Sequence, residues 1–139
     1  MSRGVAPPSG MPPPETVMGP HGREIDLVTL AREACAAYDS EFPDERERYG
    51  PAGPEWCRHD CQHLVNWAVL GLTIGLDYEA QIAWLARVLE ARDFPLERLS
   101  RGLELLAAAV RRRLPEEPEV ASMLDRGAAF VASRATFLE

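Results

Sequence analysis

The segment from Leu96 to Leu114 carries the apolar pattern that most restricts how this chain can fold. Its large apolar residues recur in steps of three and four, at Leu96, Leu99, Leu103, Leu106, Val110 and Leu114. That spacing places them on one face of an α-helix, and such a face has to be buried against other elements. Pro115 follows at once and ends the helix. The segment therefore predicts one amphipathic helix of a helical domain.

Four more segments show helical spacing, and none keeps the alternation of a β-strand for more than a few residues. The expected helices run from Arg23 to Phe42, from Pro54 to Gly75, from Tyr78 to Asp93 and from Val120 to Leu138. A loop between the first two leaves room for one helical turn at residues 45–49. The other breaks are short, which is typical of neighbouring helices that run antiparallel. We predict an all-α fold, a five-helix antiparallel bundle without a sheet.

Three glycines interrupt these helical patterns, at Gly71, Gly102 and Gly127. A glycine inside a helix costs about 1 kcal/mol relative to alanine. The usual compensation is a close approach of another helix, so we expect each glycine to mark a tight crossing.

The first part of the chain differs in composition from the rest. Six prolines and several glycines fall before residue 22, where almost no periodic apolar pattern exists. Such a composition buries too little surface to offset its chain entropy. We predict a disordered tail over residues 1–22 and a single helical domain over residues 23–139.

Charge and hydropathy exclude some classes of partner. The chain has 139 residues and a formal net charge of −7, and its basic residues are scattered along the helices. A nucleic-acid surface needs a basic face, and the run Arg111 to Arg113 is better explained by the end of a helix. No stretch reaches the roughly 18 apolar residues that a membrane span needs. We expect a cytoplasmic protein that binds neither nucleic acid nor membrane.

The three cysteines are Cys35, Cys57 and Cys61. An odd number without a framework spacing favours reduced thiols. Cys57 and Cys61 lie one turn apart on the same helix, where a bridge would distort the backbone. We therefore expect no structural disulfide.

The second helix places polar groups within its apolar stripe. Trp56, Asp60, His63 and Trp67 follow one another at heptad spacing, so an acid and an imidazole lie between two tryptophans. This arrangement is either a buried polar pair that locks the core or the wall of a pocket. Tyr78 and Trp84 on the next helix would add flat apolar surface opposite it.

The cysteine and histidine side chains of the same helix suggest a metal site, but the helix geometry argues against a site that joins all of them. At about 100° per residue, the two cysteines project to the side opposite His59 and His63. A smaller set, His59, Asp60 and His63, could bind a metal with help from another helix. No nucleophile motif, phosphate-binding loop or dinucleotide fingerprint occurs, so we expect no enzymatic activity.

Between Trp56 and Pro115 the chain carries the pattern Cys57-Arg58-x-Asp60, His63-Leu64, Tyr78, Trp84-Leu85, Val88-Leu89, Arg92, Pro95, Leu99, Leu103, Leu106 and Leu114-Pro115. This pattern resembles the helical module found beside the cobalamin-binding domain in bacterial B12-dependent regulators and sensors. In that family the helical bundle stacks over the upper face of a corrinoid held by a neighbouring doubly wound domain. The family's Asp-x-His-x-x-Gly motif is missing here. Where light-sensing members have Trp, nine residues and Glu-His, this chain has Trp67 and then Asp77-Tyr78.

The resemblance implies a stand-alone, non-catalytic sensory or regulatory module. Its ligand would be cobalamin or another tetrapyrrole, or a regulatory partner protein that carries one. The expected ligand-binding residues are Trp56, Asp60, His63, Trp67, Tyr78 and Trp84, with Asp60 orienting the His63 imidazole. Two alternatives remain open: a protein-interaction module without a ligand, and a small metal-binding helical protein.

Overall fold

The computed structural model describes residues 12–51 and 53–138, and these ranges are mostly helical. Two short strands come first, β1 (Thr16–Met18) and β2 (Glu24–Asp26). The helices are α1 (Leu27–Glu41), α2 (Glu45–Tyr49), α3 (Gly53–Thr73), α4 (Tyr78–Ala91), α5 (Leu96–Arg113) and α6 (Pro118–Ala132). No helix in these ranges has the length and apolarity to cross a membrane. The helical class is confirmed, but the described ranges contain six helices and a two-stranded sheet instead of five helices alone.

Several helices begin and end at residues suited to those positions. Asp26 and Asp77 precede α1 and α4, and each carboxylate accepts a hydrogen bond from the backbone N–H three residues on. The acceptor distances to Thr29 and Ala80 are both 3.1 Å. These contacts satisfy N–H groups that have no partner within the helix. After α3, Gly75 adopts a φ of 76°, a left-handed conformation that glycine reaches without strain.

The centre of the core is α5. Its Leu103, Leu106 and Val110 are fully buried, on the face that their spacing predicted. α6 packs along α5, and α1 contacts both α5 and α3. One continuous apolar cluster therefore joins the helices and holds α3 and α4 side by side.

The predicted tail is wrong over its described part. Residues 1–11 lie outside the described ranges, but β1 pairs antiparallel with β2, with Val17 opposite Ile25. Ile25 is 1% exposed and belongs to the core. The Gln62 side chain on α3 donates a hydrogen bond of 3.0 Å to the Pro14 carbonyl. Strands of three residues are too short to show a period, and these contacts become visible only in the folded chain.

The last helix is shorter than predicted, because α6 ends at Ala132 and the chain then turns back onto the domain. The Glu90 carboxylate accepts hydrogen bonds of 2.7 Å from the Thr136 hydroxyl and from the Phe137 N–H. Phe137 is 1% exposed and fills the core. The predicted helix end at Leu138 is therefore wrong, and Leu138 itself is 52% exposed.

Candidate functional site

An open groove of about 590 Å³ lies where α3 and α4 face each other. We call it the aromatic groove; it is lined by Pro12, Pro14, His63, Asn66, Trp67, Gln81 and Trp84. The α3 members recur at helical spacing, and Gln81 precedes Trp84 by three residues on α4. Residues three or four apart share a helix face, so each helix presents one side of the groove.

Three aromatic rings give the groove its shape. The His63 and Trp67 rings lie 5.5 Å apart between centroids, with 30° between their planes. Trp67 and Trp84 lie 6.5 Å apart and are nearly perpendicular, at 78°. Edge-to-face contacts of this kind are favourable because the positive ring edge meets the negative ring face. The two indoles therefore form a fixed corner.

The groove is apolar with a few polar groups. Trp67 and Trp84 are partly buried against the core, which anchors them while part of each ring stays accessible. Asn66 and Gln81 add amide donors and acceptors. Among the described lining residues only His63 can carry a charge. Flat apolar walls with a small number of polar groups suit an extended aromatic ligand better than a small anion.

The six predicted ligand-binding residues fall in three places. His63, Trp67 and Trp84 meet in the aromatic groove, whereas Trp56 and Asp60 line a separate small pocket and the ring of Tyr78 lies in the core. Asn66 and Gln81 were missed by the sequence analysis. Their helical spacing from His63 and Trp84 was the signal that could have identified them.

Asp60 forms its pair with a neighbour in the chain. Its carboxylate lies 3.4 Å from Nδ1 of His59, and both side chains are mostly buried. The His59 ring meets His63 edge-on at 4.7 Å. His59 thus contacts both Asp60 and His63, and the orientation of His63 by Asp60 stays a prediction.

Trp56 lines a second, smaller pocket of about 60 Å³. The Arg92 guanidinium lies 4.8 Å from the centre of its ring, and Trp56 is 4% exposed. Polar groups also reach this pocket, among them Tyr38, Glu45 and Arg98. The space is large enough for a few water molecules and too small for a tetrapyrrole.

Tyr78 lies in the core. It is 5% exposed, and its hydroxyl lies 3.5 Å from the Leu64 carbonyl. On α6, a Cβ added to Gly127 would come within 3.0 Å of the Tyr78 ring. Burial raises the pKa of the Tyr78 phenol, so the hydroxyl stays protonated. Tyr78 therefore supports the packing of α4 on α6.

The cysteines are not all reduced, contrary to our expectation. Cys35 on α1 and Cys57 on α3 form a disulfide, with their Cα atoms 6.1 Å apart. The error came from weighing a bridge within one helix, whereas the pairing joins two packed helices. The Cys61 thiol is buried, 3.8 Å from the Cys35 sulfur and 4.0 Å from that of Cys57. Burial raises the pKa of Cys61, which disfavours the reactive thiolate.

Two groups of metal-ligating side chains are close-set within the described residues. One is the three cysteines, of which Cys35 and Cys57 are joined in the disulfide; the other is His21, Glu117 and Glu119. In each group the ligand atoms lie within 4.8 Å of one another. The set that the sequence suggested, His59, Asp60 and His63, is neither of these two.

Comparisons of this chain with protein-family models, with curated proteins and with solved structures found no match. The resemblance to the helical modules of cobalamin-dependent regulators therefore stays a prediction.

Proposed function

We propose that the protein is a non-catalytic regulatory module whose aromatic groove binds a flat, tetrapyrrole-type ligand such as cobalamin or haem. The observation that carries the proposal is the corner formed by Trp67 and Trp84, two anchored indoles that open onto an accessible groove. Binding would change the surface that α3 and α4 offer to a regulatory protein partner.

Size and chemistry both support this ligand class. The groove volume of about 590 Å³ falls in the usual range for sites of organic ligands, about 300–1,000 Å³. Its openness suits a macrocycle that enters by one face or edge and leaves the remainder in solvent. Stacking on an indole supplies a large contact area at little entropic cost, because the ring is already held by the core.

The details at α4 differ from what the resemblance implies. Asp77 caps α4 through the Ala80 N–H, and Tyr78 is buried. These two residues occupy the positions at which light-sensing members have Glu-His. In our proposal the ligand contacts come instead from Trp67 and Trp84, with His63 behind Trp67.

An equilibrium titration followed by visible absorption tests the proposal. Hydroxocobalamin and haem are added in turn to the purified chain, and we expect one of them to bind saturably with one molecule per chain. Trp67→Ala and Trp84→Ala should each weaken binding at least about tenfold, because each removes stacking area that amounts to 1.4 kcal/mol or more.

Trp56→Phe is the control, since Trp56 lines the separate small pocket and not the groove. It should bind as the unmodified chain does. Protein that stays colourless, with an unmoved thermal midpoint in the presence of either ligand, would reject the proposal. Equal loss of binding in Trp56→Phe would reject the groove as the site.

A further inference from the structure

The turn between β1 and β2 brings a histidine to the start of α6. His21 Nε2 lies 3.2 Å from Glu119 Oε1 and 3.9 Å from Glu117 Oε1. His21 and Glu119 are each about half exposed, at 50% and 51%, whereas Glu117 is buried. One imidazole and two carboxylates therefore converge from two elements that are far apart in the chain.

Glu117 is unusual because both of its carboxylate oxygens are buried without a hydrogen-bond partner among the described residues. The side chain is 1% exposed, and the 3.9 Å separation from His21 is too long for a hydrogen bond. A carboxylate buried in this way loses its hydration without gaining a hydrogen bond in return. In folded proteins such a group usually has a bound water or ion as its partner.

The hairpin turn is built close over this carboxylate. A Cβ added to Gly19 would lie 3.2 Å from Glu117 Oε2 and 2.8 Å from Cδ1 of Ile25. Only a residue without a side chain fits there unless its neighbours move. Gly19 thus lets the hairpin backbone cover the inner side of Glu117, while His21 closes the side next to Glu119.

We propose that His21, Glu117 and Glu119 bind a divalent transition ion of the zinc class. A tetrahedral Zn²⁺ with bonds of about 2.0–2.1 Å separates its ligand atoms by about 3.3 Å. The observed separations of 3.2 Å and 3.9 Å lie on either side of this value. Small side-chain rotations would close the site.

The donor set also selects the ion. An imidazole with two carboxylates suits Zn²⁺, whereas Ca²⁺ takes six to eight oxygen ligands. The two negative charges balance a divalent cation, and the ion supplies the partner that Glu117 lacks. The exposed sides of His21 and Glu119 provide the entry path, and a water can take the remaining position. The bound ion would tie the β-hairpin to α6.

Thermal unfolding of tag-free protein tests this site, with the disulfide left intact by omitting reductant. The chain is first stripped with a chelator and then measured with Zn²⁺ or with Ca²⁺. At about a hundredfold excess over the dissociation constant, Zn²⁺ should raise the midpoint by roughly 10 °C, and Ca²⁺ should not. Calorimetric titration should give one Zn²⁺ per chain, and His21→Ala and Glu117→Gln should each weaken binding at least tenfold.

Two control variants distinguish this site from the other side chains that could bind a metal. His59→Ala alters the other histidine cluster and Cys61→Ser removes the buried thiol, and both should keep the full zinc response. The same zinc response in His21→Ala would overturn the proposal, and so would the absence of any response at saturating zinc. Should Glu117→Gln fail to fold, His21→Ala decides alone, because His21 lies on an exposed turn.

Discussion

At the scale of single residues, the best-connected buried charge is Glu45 on α2. Its carboxylate accepts a hydrogen bond of 3.0 Å from the Tyr38 hydroxyl and one of 2.8 Å from Arg98. Arg98 also bonds both oxygens of Asp44, each at 3.0 Å, and stacks over Phe42. Burial raises the pKa of Tyr38, so its hydroxyl remains a donor. This network fixes the short α2 between α1 and α5.

Replacing Arg98 by methionine should therefore destabilise the protein markedly. The change leaves the Glu45 carboxylate buried without its cation, which typically costs about 3 kcal/mol or more. Urea denaturation measures the loss of unfolding free energy. Arg101→Met is the matched control, because Arg101 pairs with Glu41 and Glu104 at the surface and should matter far less. Equal losses in the two variants would contradict the role given to Glu45.

The ion pairs of Glu33 make the free energy of unfolding depend on pH. Hydrogen bonds from Arg113 and Arg112 hold the pKa of this carboxyl below its ordinary value. A lowered folded pKa gives stability that is present above the unfolded pKa of about 4.3 and is lost as the pH falls through the folded value. Urea midpoints should thus fall steeply below about pH 4.5, and less steeply in Glu33→Gln. An unchanged acid slope in that variant would show that the pair contributes nothing.

At the scale of elements, the apolar pattern of the chain predicts where a helix lies better than it predicts which face of the helix is buried. The faces of α1, α4 and α5 follow their apolar spacing, because each of these helices has one dominant buried stripe. α3 is contacted by several elements, so more than one of its faces is buried. Its heptad positions therefore did not define the core face, and Asp60 and His63 came to line different spaces.

The glycines within the helices also show that the sequence predicts an element better than its contacts. Two of them give a prediction about stability. A Cβ at Gly127 would meet the Tyr78 ring at 3.0 Å, as a tight crossing requires, whereas a Cβ at Gly102 would meet nothing within 4 Å. Gly102→Ala should therefore raise the unfolding free energy by about 0.5–1 kcal/mol through lower chain entropy in the unfolded state. Gly127→Ala should be the less stable of the two by chemical denaturation. The reverse order would mean that Tyr78 yields easily and that Gly127 marks no tight crossing.

At the scale of the whole molecule, three features that are absent from the local sequence pattern join distant parts of the chain. The Cys35–Cys57 bridge links α1 to α3, the hairpin turn reaches α6, and the aromatic groove needs α4 beside α3. Periodicity reports one element at a time, so none of these contacts leaves a local signal. What could be predicted was the set of aromatic residues, because Trp67 and Trp84 each lie on a helix whose spacing was clear.

The proposed function depends most on where a tetrapyrrole contacts the protein. The chain has three tryptophans, so a ¹⁵N–¹H spectrum resolves three indole N–H signals, each assigned with a Trp→Phe variant. The measurement is their shift on saturation with hydroxocobalamin or the diamagnetic zinc analogue of haem. We predict large ring-current shifts for Trp67 and Trp84 and an unmoved signal for Trp56. No shift at saturation, or a shift of Trp56 with Trp67 and Trp84 unmoved, would contradict the aromatic groove as the ligand site.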